Sequence, residues 1–304
     1  MSRVVLLGPT ASGKSALALA VAAAVGDLEL VSIDAMQVYR GMDIGTAKPT
    51  PAEQASVRHH GIDLVDPSEE YAVARFQADV GVALADIDRR GRRVLLVGGT
   101  GLYLRSIIDS LVLPGQWPEI RAGLEAELAM GTAPEALHGR LLDLDPAAAA
   151  RMEPTNARRV VRALEVCLGS GRPFSSFGPG LDSYPATPYA QIGLAWDRVR
   201  LGARIEARVH RMLEAGLLAE TERLLAGGPL SRTARQALGY RELIEHLEGR
   251  WSYDEAVDAI VLRTRQFAVR QDRWFRRDPR IRWIDIESDP VAEGRPIVLD
   301  TLTS

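Results

Sequence analysis

The feature that most constrains this chain is a run of eight residues near its start. Gly8-Pro9-Thr10-Ala11-Ser12-Gly13-Lys14-Ser15 fits the pattern G-x-x-x-x-G-K-[ST] at every position. It follows a short apolar stretch, Val4–Leu7, and opens an alanine-rich one, Lys14–Val25. Strand, glycine loop and helix in that order make a phosphate cradle of the nucleotide-binding type. The glycines let backbone N–H groups face an anion, and the helix N-terminus adds its positive end. Lys14 supplies a charge, and the Ser15 hydroxyl is placed to hold Mg²⁺. A loop of this kind needs a sheet around the strand that leads into it.

The rest of the chain supplies one. Leu28–Ile33 reads as a second strand running into Asp34, and Val94–Val97 as a third ending at Gly98-Gly99, with a helix over Val73–Arg89 between them. Gln191–Trp196 and Ile281–Ile286 read as a fourth and a fifth, separated by about 80 residues of helical period. Short, continuously apolar strands between helices predict a parallel sheet covered on both faces. Ligands in such sheets sit at the carboxyl ends of the strands. Gly8–Ser15, Asp34–Gln37 and Gly98–Gly101 are therefore expected to converge. Between the third and fourth strands, Pro114-Gly115 breaks the pattern, Pro146 and Pro154 punctuate short helices, and residues 169–190 read as loop. The expected architecture is α/β, a P-loop-containing parallel sheet core with helices on both faces and helical insertions. Residues 1–113 and 191–304 would form the catalytic core with its C-terminal helices, and 114–190 a mostly helical insertion.

What the loop grips is narrowed by what is missing. Nucleotide hydrolases usually add an aspartate at the end of a second apolar strand to hold Mg²⁺. The third strand here runs into Gly98-Gly99-Thr100 instead, which disfavours an NTP-driven motor or switch and leaves a small-molecule kinase or another diphosphate-using enzyme. Asp34 ends the second strand, facing the loop. A carboxylate beside a polyanion suits a base that accepts a proton, or an outer ligand of Mg²⁺; a plain turn or cap aspartate is the bland alternative.

Composition excludes several classes. Cys167 is the only cysteine, so neither an intrachain disulfide nor a cysteine-based metal site is available. The five histidines lack ligand spacing, and His59-His60 reads as a loop feature. No run approaches the ~18–20 apolar residues of a membrane span, and the N-terminus reads as a buried strand, so a cytoplasmic location is expected. With 37 basic against 40 acidic residues, a net charge of −3, any nucleic-acid site must come from local segregation of charge. Residues 263–282 show that segregation: eight arginines against Asp272 and Asp278, a local charge of +6. At helical spacing Arg263, Phe267, Arg270, Trp274 and Arg277 share a face; arginine interleaved with rings suits a single-stranded RNA loop, and the alternative is that Phe267 and Trp274 are core residues fringed by arginine.

The longer run Asp34-Ala35-Met36-Gln37-Val38-Tyr39-Arg40-Gly41-Met42-Asp43-Ile44-Gly45-Thr46-Ala47-Lys48-Pro49 resembles the signature of the tRNA isopentenyltransferase family, the tRNA dimethylallyltransferases. So do Gly8–Ser15, His59-His60-Gly61-Ile62-Asp63, Gly98–Tyr103, Arg159…Arg162-Ala163-Leu164-Glu165, Arg204-Ile205-Glu206, Gly239–Glu242 and Thr264–Gln271, in chain order over about residues 4–285. Ala35 and Ser15 stand where many relatives carry Ser and Thr; neither removes a group that the chemistry needs. There is no C-terminal zinc finger of the kind eukaryotic members carry, so the resemblance is to the bacterial type.

The resemblance implies transfer of a dimethylallyl group from dimethylallyl diphosphate to the exocyclic amine of the adenine just 3′ of the anticodon. The partners would be dimethylallyl diphosphate and a tRNA anticodon stem-loop, with Mg²⁺ as cofactor. By matching position, Asp34 would accept the amine proton, Thr10 would hydrogen-bond the bridging oxygen of the leaving diphosphate, and Arg204 would help neutralise it. Asp34, Ala35, Met36, Gln37, Thr100, Arg121, Arg158, Arg159, Val160, Val161, Arg162, Gly239, Tyr240, Arg241, Arg265, Arg270 and Gln271 would touch the tRNA. A monomer is expected. The rival readings are a small-molecule kinase and a non-enzymatic RNA-binding protein that senses a nucleotide.

Overall fold

The computed structural model describes residues 3–178 and 180–303. Its centre is a sheet of six strands: β1 (Arg3–Leu7), β2 (Leu28–Ile33), β3 (His59–His60), β4 (Arg93–Gly98), β5 (Tyr189–Trp196) and β6 (Ile281–Ile286). The spatial order is β3-β2-β4-β1-β5-β6, and every pairing is parallel. Both faces are buried, which is why the strands read as unbroken apolar runs. Val4, Leu6, Leu30, Leu95, Ile192 and Leu194 point into one layer, and Val5, Leu7, Val31, Ile33 and Leu96 into the other.

One expectation fails at the edge. His59-His60 is not a loop but a two-residue strand that pairs with Leu30 and Val31. Two histidines carry no apolar alternation to betray it. His60 Nε2 instead lies 2.7 Å from the buried Glu29 carboxylate, which also pairs with Arg90.

In the first half of the sheet unit, α1 (Lys14–Val25), α2 (Pro51–Ser56), α3 (Val73–Arg89) and α4 (Gly101–Ile108) connect the strands. On α3 the buried side chains are Phe76, Val80, Leu84 and Ile87, one stripe at helical spacing. Each such burial contributes ~1.5–3 kcal/mol.

Two compact units emerge, Met1–Asp109 with Ala186–Ser304, and Ser110–Pro185. Their seams fall within five residues of the approximate 113/114 and 190/191 expected. Tyr189 and Ala190 already pair with Arg3 and Val4, so they belong to the sheet. At the other seam the Asp109 carboxylate, 1% exposed, is tied to Arg105 and Arg280 of the sheet unit.

The second unit is helical: α5 (Pro118–Ala129), α6 (Pro134–Leu144), α7 (Pro146–Ala149) and α8 (Ala157–Ser170). A proline opens each of the first three, where the missing N–H has no helical partner to lose. Leu124, Leu137, Leu141, Val160, Val161 and Leu164 form its own core.

After β5 the chain returns to the sheet unit through α9 (Arg198–Glu214), α10 (Leu217–Ala226), α11 (Arg232–Arg235), α12 (Tyr240–Leu247) and α13 (Tyr253–Phe275). The last helix, α14 (Pro290–Thr303), packs on α1, where a Cβ on Gly294 would meet Leu17 at 2.6 Å. Among the described residues no helix is long and apolar enough to cross a membrane.

Candidate active site

β1 lies between β4 and β5, and β2 lies next to β4, so the carboxyl ends of β1, β2 and β4 are neighbours. They carry the glycine loop, Asp34 and Gly98–Thr100, the three segments expected to converge. They border a cavity of about 580 Å³ whose lining includes Thr10, Gly13, Lys14, Ser15 and Asp34.

The glycine loop is held in a conformation it would not choose alone. Ala11 has φ 62°, the left-handed region that a side chain rarely adopts, and Gly13 has φ 91°. A non-glycine residue there costs about 1–3 kcal/mol, so the surroundings must impose it. Three side chains do so. Gln271 on α13 accepts from the Thr10 N–H at 2.8 Å. Arg204 on α9 donates Nε–H to the Ala11 carbonyl at 3.0 Å. Trp196 at the end of β5 donates its indole N–H to the Ser12 carbonyl at 3.0 Å. Gln271 also donates to the Gly99 carbonyl at 2.8 Å, so one amide ties the ends of β1 and β4 together. At Gly13 a Cβ would lie 2.3 Å from Pro290 Cγ, which explains a glycine there beyond its φ.

Charge accumulates around this loop. Lys14, Arg204, Arg208 and Arg211 all line the cavity, against Asp34 and Glu53. Lys14 donates to the Pro9 carbonyl at 3.2 Å. Burial, then Arg208, bring its ammonium down to about 8, with Asp34 opposing the shift. The Arg208 guanidinium is also lowered, chiefly by burial and further by Arg211, while Asp34 raises it. Arg204 lies over the Trp196 ring at 4.3 Å. Cations that depress one another are an arrangement that a bound polyanion stabilises. The fifth cation of the wall, Lys48, is already committed to Asp43 and Asp63 at 2.6 Å each and to the Tyr39 carbonyl.

Asp34 satisfies the bland reading and the functional one together. Oδ1 accepts from the Met36 N–H at 2.8 Å and the Gln37 N–H at 3.3 Å, closing a turn. Oδ2 accepts no hydrogen bond among the described residues. The turn orients one oxygen and leaves the other for a substrate. Thr100 Oγ1 accepts from the Ala35 N–H at 3.3 Å, bracing the same turn from the end of β4.

Several residues expected to touch the tRNA also have partners within the protein, and Gln37 and Gln271 line the cavity as well. Gln37 is buried; its amide donates to the Thr46 and Ala47 carbonyls at 3.1 Å and accepts from Ser32 at 2.7 Å. Gln271 is the bridge just described. Tyr240 is fully buried, with its hydroxyl on Glu220, and the buried Gly239 donates its N–H to Glu242. Val160 and Val161 lie in the core of the helical unit. In that unit Arg162 donates to the Pro114 and Gly115 carbonyls and pairs with Glu165 at 2.9 Å. Buried Val160, Val161 and Tyr240 build the scaffold, and their presence in motif blocks did not set them apart from exposed neighbours. Arg158, Arg159, Arg241 and Arg270 are exposed, and Ala35, Met36 and Thr100 half-buried. Arg121 pairs with Glu125, and the exposed Arg265 with Glu206.

The sequence reading kept only Arg204 of its helix for the site. The structure adds Arg208 and Arg211, which follow it at i+4 and i+7 and line the same cavity. That spacing was the available signal. Trp196 carried none, because its role depends on a loop about 180 residues away in sequence.

Comparison with known proteins identifies the family. The profile of the family described as IPP transferase matches residues 37–278, and that of isopentenyl transferase matches residues 1–66. This chain belongs to the IPP transferase family, that of the tRNA isopentenyltransferases. A tRNA dimethylallyltransferase of Kineococcus radiotolerans is 48% identical over 303 residues, covering 97% of this chain and 95% of its own. One from Geobacter metallireducens is 49% identical over 286 residues, covering 93% and 92%. Among solved structures, the tRNA isopentenylpyrophosphate transferase of Bacillus halodurans superposes with a TM-score of 0.70 at 37% identity, covering 99% of this chain and 97% of its own. A eukaryotic dimethylallyltransferase acting on tRNA gives a TM-score of 0.77 at 27% identity, covering 94% and 74%. These matches run through both the glycine-loop core and the helical unit.

Proposed function

We propose that this isopentenyl transferase moves a dimethylallyl group from dimethylallyl diphosphate to the exocyclic amine of the adenine next to the anticodon on its 3′ side in tRNA, releasing diphosphate. The observation that carries the reading is the meeting, in one cavity, of a diphosphate cradle and a carboxylate with one oxygen unbonded.

The allylic C–O bond breaks, the electron pair leaves with the diphosphate, and the adenine nitrogen bonds the freed carbon. The backbone N–H groups of Gly13, Lys14 and Ser15 at the start of α1, with the Lys14 and Arg204 side chains, stabilise the charge that develops on the leaving group, usually the largest catalytic contribution. Thr10 lies on the cavity wall, its backbone fixed by Gln271, where its hydroxyl can meet the bridging oxygen. Adenine is a poor nucleophile, so Asp34 need not deprotonate it in advance. It orients the amine through Oδ2 and takes the proton as positive charge develops on nitrogen. The target base must leave its stack, which costs least in an already single-stranded loop; that favours an anticodon loop.

Magnesium fits this site as a companion of the donor. Ser15 presents an exposed hydroxyl on the first turn of α1, and Mg²⁺ is commonly held by one or two protein groups together with phosphate oxygens and water. When bound it would supply charge neutralisation of the diphosphate. The exposed arginines of α13, among them Arg265, Arg270 and Arg273, and Arg158 and Arg159 of the helical unit offer phosphate contacts for the RNA. The reading has the protein working in the cytoplasm, as a monomer.

The test is a single-turnover reaction with dimethylallyl diphosphate, Mg²⁺ and unmodified tRNA, followed by digestion and mass analysis of the nucleosides. A prenylated adenosine is expected. Its absence with folded protein and several tRNAs refutes the proposal, as does ATP-dependent phosphorylation of a small alcohol in its place.

A further inference from the structure

A cavity that holds diphosphate at its cationic end must hold the prenyl tail against its apolar wall. Part of that wall is Ile44, Ala47 and Pro49, from a segment following Asp34 that forms neither helix nor regular strand. An irregular segment is deformable unless something behind it fixes its shape. Glu220 on α10 stands behind it, 2% exposed. Its Oε1 accepts from the N–H groups of Asp43 at 3.2 Å, Ile44 at 3.1 Å and Gly45 at 3.3 Å, and its Oε2 from Ile44 at 3.0 Å. Tyr240, the first residue of α12 and fully buried, donates its hydroxyl to Glu220 Oε1 at 2.6 Å. The Tyr240 ring lies against Gly45, where a Cβ would come within 2.4 Å of it. Burial and then Glu220 push the phenol upward, so it remains a donor.

A buried carboxylate is tolerated when donors fill its oxygens, and here the donors are the backbone of the cavity wall itself. Neither Glu220 nor Tyr240 lines the cavity, so neither touches the donor. We infer that Glu220 and Tyr240 are positioning residues that set the shape of the 43–49 wall and thereby the length of prenyl diphosphate the enzyme accepts. This inference rests on the reading of the cavity as a prenyl-diphosphate site.

The experiment compares dimethylallyl and geranyl diphosphate as donors to tRNA, measuring kcat and KM for wild type, Tyr240→Phe and Glu220→Gln, with Tm as a control. Tyr240→Phe keeps the ring against Gly45 and removes only the hydroxyl. It is expected to raise KM for dimethylallyl diphosphate about fivefold, to leave kcat within about twofold, and to lower the kcat/KM preference for the shorter donor about tenfold. Glu220→Gln should raise that KM and lower that preference further, since it turns an amide NH2 toward the Ile44 N–H. An unchanged donor preference in folded Tyr240→Phe, with or without a lower Tm, overturns the inference, and this variant decides the matter even if Glu220→Gln fails to fold. Wild-type enzyme that prenylates no tRNA defeats the reading of the cavity; wild-type turnover with an unshifted preference in the variant defeats only the clamp.

Discussion

Arginine is held differently around the glycine loop of the sheet unit and on the surface of the helical unit. In the sheet unit Arg204 is stacked on Trp196 and bonded to the glycine loop, and Arg208 is partly buried beside Lys14 and Asp34. In the helical unit Arg158 and Arg159 stand in solvent, and Arg121 and Arg140 pair with the partly exposed Glu125 and Glu127. A charge held in a desolvated cluster interacts strongly and specifically with its neighbours; an exposed one contributes ~0–1 kcal/mol and is screened by salt. Around the glycine loop arginine is held by its neighbours, whereas Arg158 and Arg159 of the helical unit stand in solvent, as Arg270 and Arg273 do on α13.

The sharpest way to break this contrast is at Asp34. Asp34→Ala is expected to lower the single-turnover rate roughly 10²–10⁴-fold, the usual range for a general base, while tRNA affinity changes less than about threefold. A near-normal rate would show that the unbonded Oδ2 does no proton transfer.

Gln271→Ala comes next. It leaves the Thr10 N–H and the Gly99 carbonyl without their partner, and an orphaned buried group costs about 1–3 kcal/mol. The expected result is a rise of about ten- to a hundredfold in KM for the diphosphate donor, with tRNA Kd much less affected. A loss confined to tRNA affinity would return Gln271 to the RNA surface.

The pH profile probes the cluster without mutation. Burial and Arg208 bring Lys14 to about 8, so it is charged below that pH and neutral above it. Donor kcat/KM should therefore fall as pH rises through about 8, since that parameter reports the free enzyme. The fall in kcat should come at higher pH, because bound diphosphate favours the ammonium. A flat profile from about pH 7 to 9 would mean that Lys14 is not desolvated in solution.

The smallest effect is expected in the helical unit. Arg158→Ala with Arg159→Ala should weaken tRNA binding by about threefold to tenfold, with kcat unchanged. The slope of affinity against salt should shrink by roughly 0.7 for each phosphate that is no longer neutralised. A large fall in kcat there would erase the contrast between the units.

Much of the site was legible because local chemistry repeats. A glycine loop that must follow a strand and open a helix announces itself in eight residues, and a buried parallel strand must be apolar throughout. Asp34 followed from position alone, at the end of the next strand. The edge strand at His59-His60 did not, since its stability comes from Glu29 and from pairing with Leu30 and Val31 rather than from its own residue types. Which residues of the motif blocks face solvent was not legible either. Within one block, exposed Arg241 and buried Tyr240 are adjacent, and nothing in a linear string separates a side chain facing solvent from one facing Glu220.

The order of residues thus determined the fold class, the phosphate loop and the acid beside it, because each depends on interactions within a few residues or on the periodic burial of one element. Only the tertiary structure decided which side chains hold the loop in its strained form, which cations share a cavity, and which polar groups are already satisfied. Those outcomes depend on partners as distant as Thr10 and Gln271, and a hydrogen bond between them exists only once the whole sheet has brought the two together.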